Sequence, residues 1–147
     1  KYEAAFAVIP LLVTFIPMLT DTGGNAGSQS STMIIRGMAV GEIEAGDILR
    51  VLWKELRVGI IVGILLGLVN YIQLLIRFPG QEMLCLTVVL SLLATVVIAK
   101  TIGCTLPIIA QILHLDPAIM AAPLITTIVD AVSLVVYFQL ACSLLSI

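Results

Sequence analysis

The chain has few of the residues with which a soluble domain meets water. Only 11% of its 147 residues are charged and 5% are aromatic, whereas 61% are hydrophobic and the mean hydropathy is +1.21. This composition excludes a soluble globular domain and is typical of an integral membrane protein. The net charge is only −2, and no basic patch is interleaved with aromatic residues. We therefore expect a lipid bilayer as the surroundings and no nucleic-acid partner.

Cysteine and histidine are too sparse to form a soft-metal site or a redox pair. Cys85, Cys104 and Cys142 stand singly in apolar runs, without a CxxC pair. We expect them to be small packing residues. Asp21-Thr22-Gly23 has the letters of the aspartic-protease triplet, but Asp130 lacks a matching glycine-rich motif. The sequence therefore predicts that the chain is not an enzyme.

Long apolar runs separated by charged clusters predict an all-α, polytopic helical bundle with four membrane spans. About 20 apolar residues cross a bilayer, and the runs fall at residues 4–37, 58–76, 83–113 and 117–145. The first run contains the polar, glycine-rich residues 20–32, which are tolerated at membrane depth only in contact with protein or a wet cavity. We expect a kink in the first helix, and a kink or break at Pro107 in the third.

Charged residues concentrate between the first two spans. Residues 42–57 alternate charged and apolar positions at helical spacing, which predicts a short amphipathic helix at the membrane surface with Asp47 as its N-cap. The next loop offers only Arg77, whereas this one carries Arg36, Arg50, Lys54 and Arg57. The positive-inside rule therefore places the first loop in the cytoplasm and the carboxyl terminus outside.

Asp130 is the most informative residue, because it is the only acidic side chain in the last span. A carboxylate near the middle of a span costs roughly 2.5 to 3.5 kcal/mol on insertion scales, so it needs compensation. Pro123, Thr126 and Thr127 share its helix stripe, and their oxygens suit a hard cation such as Mg²⁺, Ca²⁺ or Mn²⁺. Two alternatives stay open. The threonines can bond to their own helix backbone, and Asp130 can pair with Lys100, which otherwise snorkels to the membrane surface.

Two groups of residues resemble the signatures of the MgtE family of magnesium transporters. The first group comprises Pro17, residues 23–29, Arg36-Gly37 and Gly41-Glu42. The second comprises Leu106-Pro107, residues 115–118, residues 123–130 and Tyr137-Phe138. Because the two groups follow in order and cover essentially the whole chain, the resemblance is specific.

The resemblance implies that residues 1–147 form a transmembrane ion-conducting domain with the family's second to fifth helices. It implies a Mg²⁺-selective homodimer pore lined by the first and last spans, in which two Asp130 side chains face one hydrated ion. Mg²⁺ would be the transported ion, and its candidate ligands are Asp130, Asp21, Thr126, Thr127, Pro123, Gly24 and Asn25. Asp21 is either a second ion-attracting carboxylate or the cap of an unwound turn.

Uptake is expected to be passive, because no nucleotide-binding motif is visible. The family's first helix and, in many bacterial members, cytoplasmic regulatory domains are expected elsewhere in a longer polypeptide. The location implied is a bacterial or archaeal cell membrane, crossed several times. Two other functions stay open: a transporter preferring Mn²⁺, Co²⁺ or Ca²⁺, and a non-conducting membrane scaffold.

Overall fold

Four long α-helices make up most of the computed structural model, which describes residues 10–120 and 122–145. The helices are α1 (Ile16–Ala39), α2 (Ile48–Arg77), α3 (Glu82–Ile112) and α4 (Ala122–Leu145). Short 3₁₀ turns precede two of them, Ala45–Asp47 before α2 and Pro117–Met120 before α4. The predicted all-α bundle is confirmed, with no β-strand among the residues described.

Three of the helical segments are long and apolar enough to cross a membrane. They are Ala45–Arg77, Glu82–Ile112 and Pro123–Leu145. Within the described part of the first predicted span, α1 does not qualify by composition, because the polar residues 20–32 occupy its middle. These residues nevertheless stay helical, and α1 packs against α3 and α4. Neighbouring helices thus cover one side of the polar segment, at Gly23, Gly24, Gly27, Ser30 and Ser31, whereas Asp21, Asn25, Gln29 and Thr32 are exposed on the other side.

The charged segment that was predicted to be a separate surface helix is instead the beginning of α2. This helix runs without a break over 30 residues, from Ile48 to Arg77. Asp47 occupies the N-cap position of α2, as predicted, but its side chain makes no capping bond to this helix: its Oδ2 accepts a hydrogen bond of 3.0 Å from the Glu44 backbone N–H and so closes the 3₁₀ turn. The surface-helix prediction was wrong because no proline or turn signal lies between Arg57 and Val58 to end the helix.

α3 is a single helix at the centre of the bundle, packed against the other three. Pro107 lies inside it without breaking it. Its partner α2 approaches through glycines one turn apart, which is the small-residue packing that membrane helices favour. A Cβ on Gly63, for example, would lie 3.3 Å from Leu93 Cγ. The closest crossing is with α1, where a Cβ on Gly103 would overlap the backbone carbonyl of Gly27.

A buried apolar cluster closes one end of the bundle. Tyr137 of α4 is fully buried there among leucines and valines, and its hydroxyl donates a hydrogen bond of 2.9 Å to the Leu12 carbonyl. A buried phenol needs such a partner. Cys85 and Cys104 are buried as predicted for packing residues, whereas Cys142 is exposed. The bundle is therefore held at this end by the residues leading into α1 and by the second half of α4.

Candidate functional site

A cavity between α1 and α4 brings the two sequence signatures together. Its volume is about 390 Å³. It is lined by Pro17, Thr20, Asp21, Gly24, Asn25, Thr126 and Asp130. Five of the seven residues predicted as ion ligands are among them. The sequence reasoning missed Pro17 and Thr20, although both lie within one turn of Asp21 on α1.

Helical geometry explains why α1 presents its polar residues together. Asp21, Gly24 and Asn25 are three and four residues apart, so they share one face of the helix. The turn around Asp21 is not unwound, because α1 is continuous from Ile16 to Ala39. Asp21 therefore does not cap a broken helix. It lies on the exposed side of a regular one, as does Asn25.

Gly24 lets the two helices meet at this cavity. A Cβ at this position would lie 3.1 Å from Thr126 Cγ2 and 3.8 Å from Asp130 Oδ1. The first distance is tighter than ordinary van der Waals contact. The Asp130 carboxylate therefore lies against the backbone of α1, close to the face that carries Asp21.

The two threonines of α4 bond to their own helix. The Thr126 hydroxyl donates to the Pro123 carbonyl at 3.0 Å, and the Thr127 hydroxyl donates to the same carbonyl at 2.9 Å. Each hydroxyl oxygen keeps lone pairs that can accept a hydrogen bond from water. Only Thr126 faces the cavity. Pro123 and Thr127 are exposed outside it, because successive helical residues point about 100° apart and α1 covers one side of α4 only.

Asp130 does not pair with Lys100, and Lys100 does not snorkel. The Lys100 Nζ is buried and lies 3.2 Å from Glu55 Oε2. Over the part of the chain that is described, neither Asp21 nor Asp130 has an ion-pair or hydrogen-bond partner. Two carboxylates on one cavity without a counter-cation produce a negative potential that attracts cations.

The oxygens around the cavity suit a hydrated ion better than a bare one. Carboxylate, amide and hydroxyl oxygens are the ligands that hard divalent cations prefer. Within residues 10–120 and 122–145, however, no three His, Cys, Asp or Glu side chains cluster as a protein cage for a metal. Mg²⁺ gives up its water reluctantly and is commonly held by one or two carboxylates with several waters retained. The donor set of this cavity fits that mode of binding.

A second cavity of about 540 Å³ lies where α1 ends and α2 begins. Its charged lining residues are of both signs: Arg36, Arg50, Lys54, Glu42, Asp47 and Glu55. The chain reverses direction at this cavity through Gly41, whose φ of 75° favours glycine. The signature residues Arg36-Gly37 and Gly41-Glu42 therefore form the turn between the first two helices and lie away from the carboxylate cavity.

Residues 16–140 match the model of a protein family, MgtE, described as a divalent cation transporter. Similar proteins include the magnesium transporter MgtE of Thermus thermophilus, which is 33% identical over 98% of this chain and 32% of its own length. The magnesium transporter MgtE of Bacillus subtilis is 36% identical over 95% of this chain and 31% of its own length. The magnesium transporter MgtE of Enterococcus faecalis is 29% identical over 96% of this chain and 31% of its own length. The chain spans about a third of the length of these curated relatives.

Proposed function

Because this chain belongs to the MgtE family of divalent cation transporters, we propose that it forms the ion-conducting part of a Mg²⁺ transporter. The family is one of transporters and not of enzymes, in agreement with the sequence prediction. The observation that carries the proposal is the cavity that Asp21 and Asp130 share without a counter-cation. Mg²⁺ is favoured over Mn²⁺, Co²⁺ and Ca²⁺ because the similar proteins are named magnesium transporters and the donors suit a hydrated ion.

In this function, the ion keeps its water and the protein binds that water. Asp130 accepts hydrogen bonds from the ion's water molecules on one side, and Asp21 and Asn25 do so on the other. Thr126 Oγ1 has lone pairs free for the same purpose, while its proton is held by Pro123. Gly24 has no side chain that would project into the cavity beside Thr126 and Asp130. Selectivity then depends on the size and charge of the hydrated ion.

The site is completed by a second copy of the chain. Asp21 and Asn25 are exposed on the surface of a single bundle, and a carboxylate that faces lipid is costly. A homodimer that places the α1 and α4 faces together encloses the cavity and doubles its carboxylates. The first helix and the cytoplasmic regulatory domains implied by the resemblance remain predictions.

Transport requires no energy source other than the ion gradient and the membrane potential. Moving one charge through 100 mV is worth about 2.3 kcal/mol, so a divalent ion gains about 4.6 kcal/mol. A potential that is negative inside therefore drives uptake through a passive pore. With the loop between α1 and α2 in the cytoplasm, the carboxyl end of α4 lies outside.

Flux into liposomes tests this function. We expect the purified protein to admit Mg²⁺ faster than Mn²⁺, Co²⁺ or Ca²⁺, and Asp130→Asn to reduce Mg²⁺ flux by about tenfold or more, as removal of one key electrostatic ligand does. Asp116→Asn is the matched control, because Asp116 lies in the loop before α4 and its capping bond to the Ala118 N–H can be made by asparagine. Undiminished Mg²⁺ flux in Asp130→Asn would exclude this cavity as the ion-binding site of the pore. If the unaltered protein admits none of these ions, the non-conducting membrane scaffold is the function that remains.

A further inference from the structure

A buried polar cluster joins α1, α2 and α3, and each helix supplies one member. The Ser30 hydroxyl donates a hydrogen bond of 2.6 Å to Glu55 Oε2. The Lys100 ammonium donates to Ser30 Oγ at 3.1 Å and to Glu55 Oε2 at 3.2 Å. Ser30, Lys100 and Glu55 are 0%, 5% and 7% exposed. The three side chains thus form a closed triangle of hydrogen bonds in the interior.

Stability alone is a weak explanation for such a cluster. Burying two charges costs desolvation, and apolar side chains of similar volume are often as stable as a buried ion pair. Charged and hydrogen-bonded groups differ from apolar ones in that they are satisfied in one relative placement only. The cluster therefore fixes the position of three helices more narrowly than leucines would.

The cluster lies beside the point where the backbones of α1 and α3 come into contact. Gly27 and Gly103 bring the backbones of α1 and α3 into contact, and apolar side chains of α4 pack against Gly27 from another side. Ser30 lies one turn beyond Gly27, and Lys100 lies one turn before Gly103. The hydrogen bond between Ser30 and Lys100 is thus a polar contact within one turn of the glycine crossing.

The ion cavity is close to the same crossing. Asn25 precedes Ser30 by five residues, which is about 7.5 Å along a helix. The two lie on different faces: Ser30 is buried against the other helices, whereas Asn25 is exposed at the cavity. A shift of α1 along its axis would therefore move Asp21 and Asn25 past Asp130 and change the cavity, although none of its lining residues had been substituted.

We propose that Lys100 is a positioning residue for ion transport, which holds Ser30 and thereby keeps Asp21 and Asn25 of α1 level with Asp130 of α4. Glu55 supplies the negative charge that keeps the ammonium in place. Ser30 transmits the constraint, because its hydroxyl accepts from Lys100 and donates to Glu55 at the same time. The inference rests on the proposed Mg²⁺ transport, and none of the three side chains lines the ion cavity.

Mg²⁺ uptake by the protein in liposomes, measured against Mg²⁺ concentration, tests the proposal. Ser30→Ala removes the hydrogen bonds that Ser30 makes with Glu55 and with Lys100, with little change in side-chain volume. We expect a rise of several-fold in the half-saturating Mg²⁺ concentration and a fall of about tenfold in uptake per folded protein, because small displacements of binding groups have effects of that order or more. Ser143→Ala, at an exposed serine on α4, should stay within about twofold of the unaltered protein.

A charge swap separates positioning from loss of folding. In Glu55→Lys/Lys100→Glu, Ser30 can donate to the new carboxylate and accept from the new ammonium, so uptake should recover to within about threefold. Each single substitution, Glu55→Lys or Lys100→Glu, should give a protein that is inactive or unfolded. Two results would overturn the proposal: Ser30→Ala with unchanged uptake and half-saturation, whatever its melting temperature, or a folded swap protein that transports no better than Ser30→Ala. If the unaltered protein itself takes up no Mg²⁺, the proposed function fails first.

Discussion

Asp21 and Asp130 come from different ends of the sequence and line one cavity between α1 and α4. No cation among the described residues neutralises either carboxylate, since Lys100 is paired with Glu55. Two unpaired carboxylates inside a membrane domain are unfavourable unless an ion, protons or water compensate them. In the proposed function, a bound cation compensates the charge of Asp130 in the last span.

Asp21 should act on the capture of the ion more than on its passage. It is exposed at the cavity mouth and contributes to the potential there. We expect Asp21→Asn to raise the half-saturating Mg²⁺ concentration several-fold and to change the maximal rate little, with an effect that shrinks at high ionic strength. Uptake curves at low and high salt measure this. An equal effect at both salt concentrations would speak against electrostatic attraction.

Gly24 should be intolerant of side chains. A Cβ there would lie 3.1 Å from Thr126 Cγ2, so Gly24→Ala narrows the cavity and Gly24→Leu fills it. We expect a decrease of a few-fold for alanine and of about a hundredfold for leucine in Mg²⁺ uptake, because misplaced groups in a binding site have effects of this order. Gly46→Ala is the control, because nothing lies within 4 Å of a Cβ at Gly46. A Gly24→Leu protein with normal uptake would place the ion path elsewhere.

Gly103→Ala should destabilise the bundle. Its Cβ would overlap the Gly27 carbonyl, and backbone cannot move aside as a flexible side chain can. Overpacking of this kind costs about 1–3 kcal/mol or more. Equilibrium unfolding in mild detergent measures the change. A free energy of unfolding equal to that of the unaltered protein would mean that α1 and α3 do not cross at these glycines.

Substitutions of Lys100 and Glu55 should have strongly non-additive effects on the free energy of unfolding. Lys100→Met leaves the Glu55 carboxylate buried with only Ser30 to bond it, and removal of one partner of a buried pair costs about 3–5 kcal/mol. The double variant Lys100→Met/Glu55→Leu should regain much of that loss, because both charges are gone. A double-mutant cycle of unfolding free energies gives the coupling. Additive single effects would contradict the contact.

The sequence was sufficient to predict the helical bundle and most of the cavity. The long apolar runs predicted the spans, and the family resemblance assigned Asp130 and the glycine segment to one pore. The unbroken α1 preserves the spacing of Asp21, Gly24 and Asn25, so these residues share a face. Pro17 could also have been found, because it precedes Asp21 by one turn.

The sequence was not sufficient where a side chain's partner lies far along the chain. Lys100 and Glu55 are 45 residues apart, and no local pattern connects them. For the same reason the burial of Glu55 at the beginning of α2 could not be predicted, because its partner Lys100 lies on another helix. Pro123 and Thr127 were placed at the site because they share a stripe with Asp130, but the packing of α1 decides which side of that stripe is covered.

A structure determined in the membrane with Mg²⁺ present shows whether the ion binds between the Asp130 carboxylates. We predict density for one ion in the cavity between α1 and α4, with Mg–O distances of about 2.1 Å to water and the Asp130 carboxylates of two subunits farther out. The same density should be absent from Asp130→Asn. A cavity filled by lipid, or an ion held at a site that Asp130→Asn leaves occupied, would contradict the account.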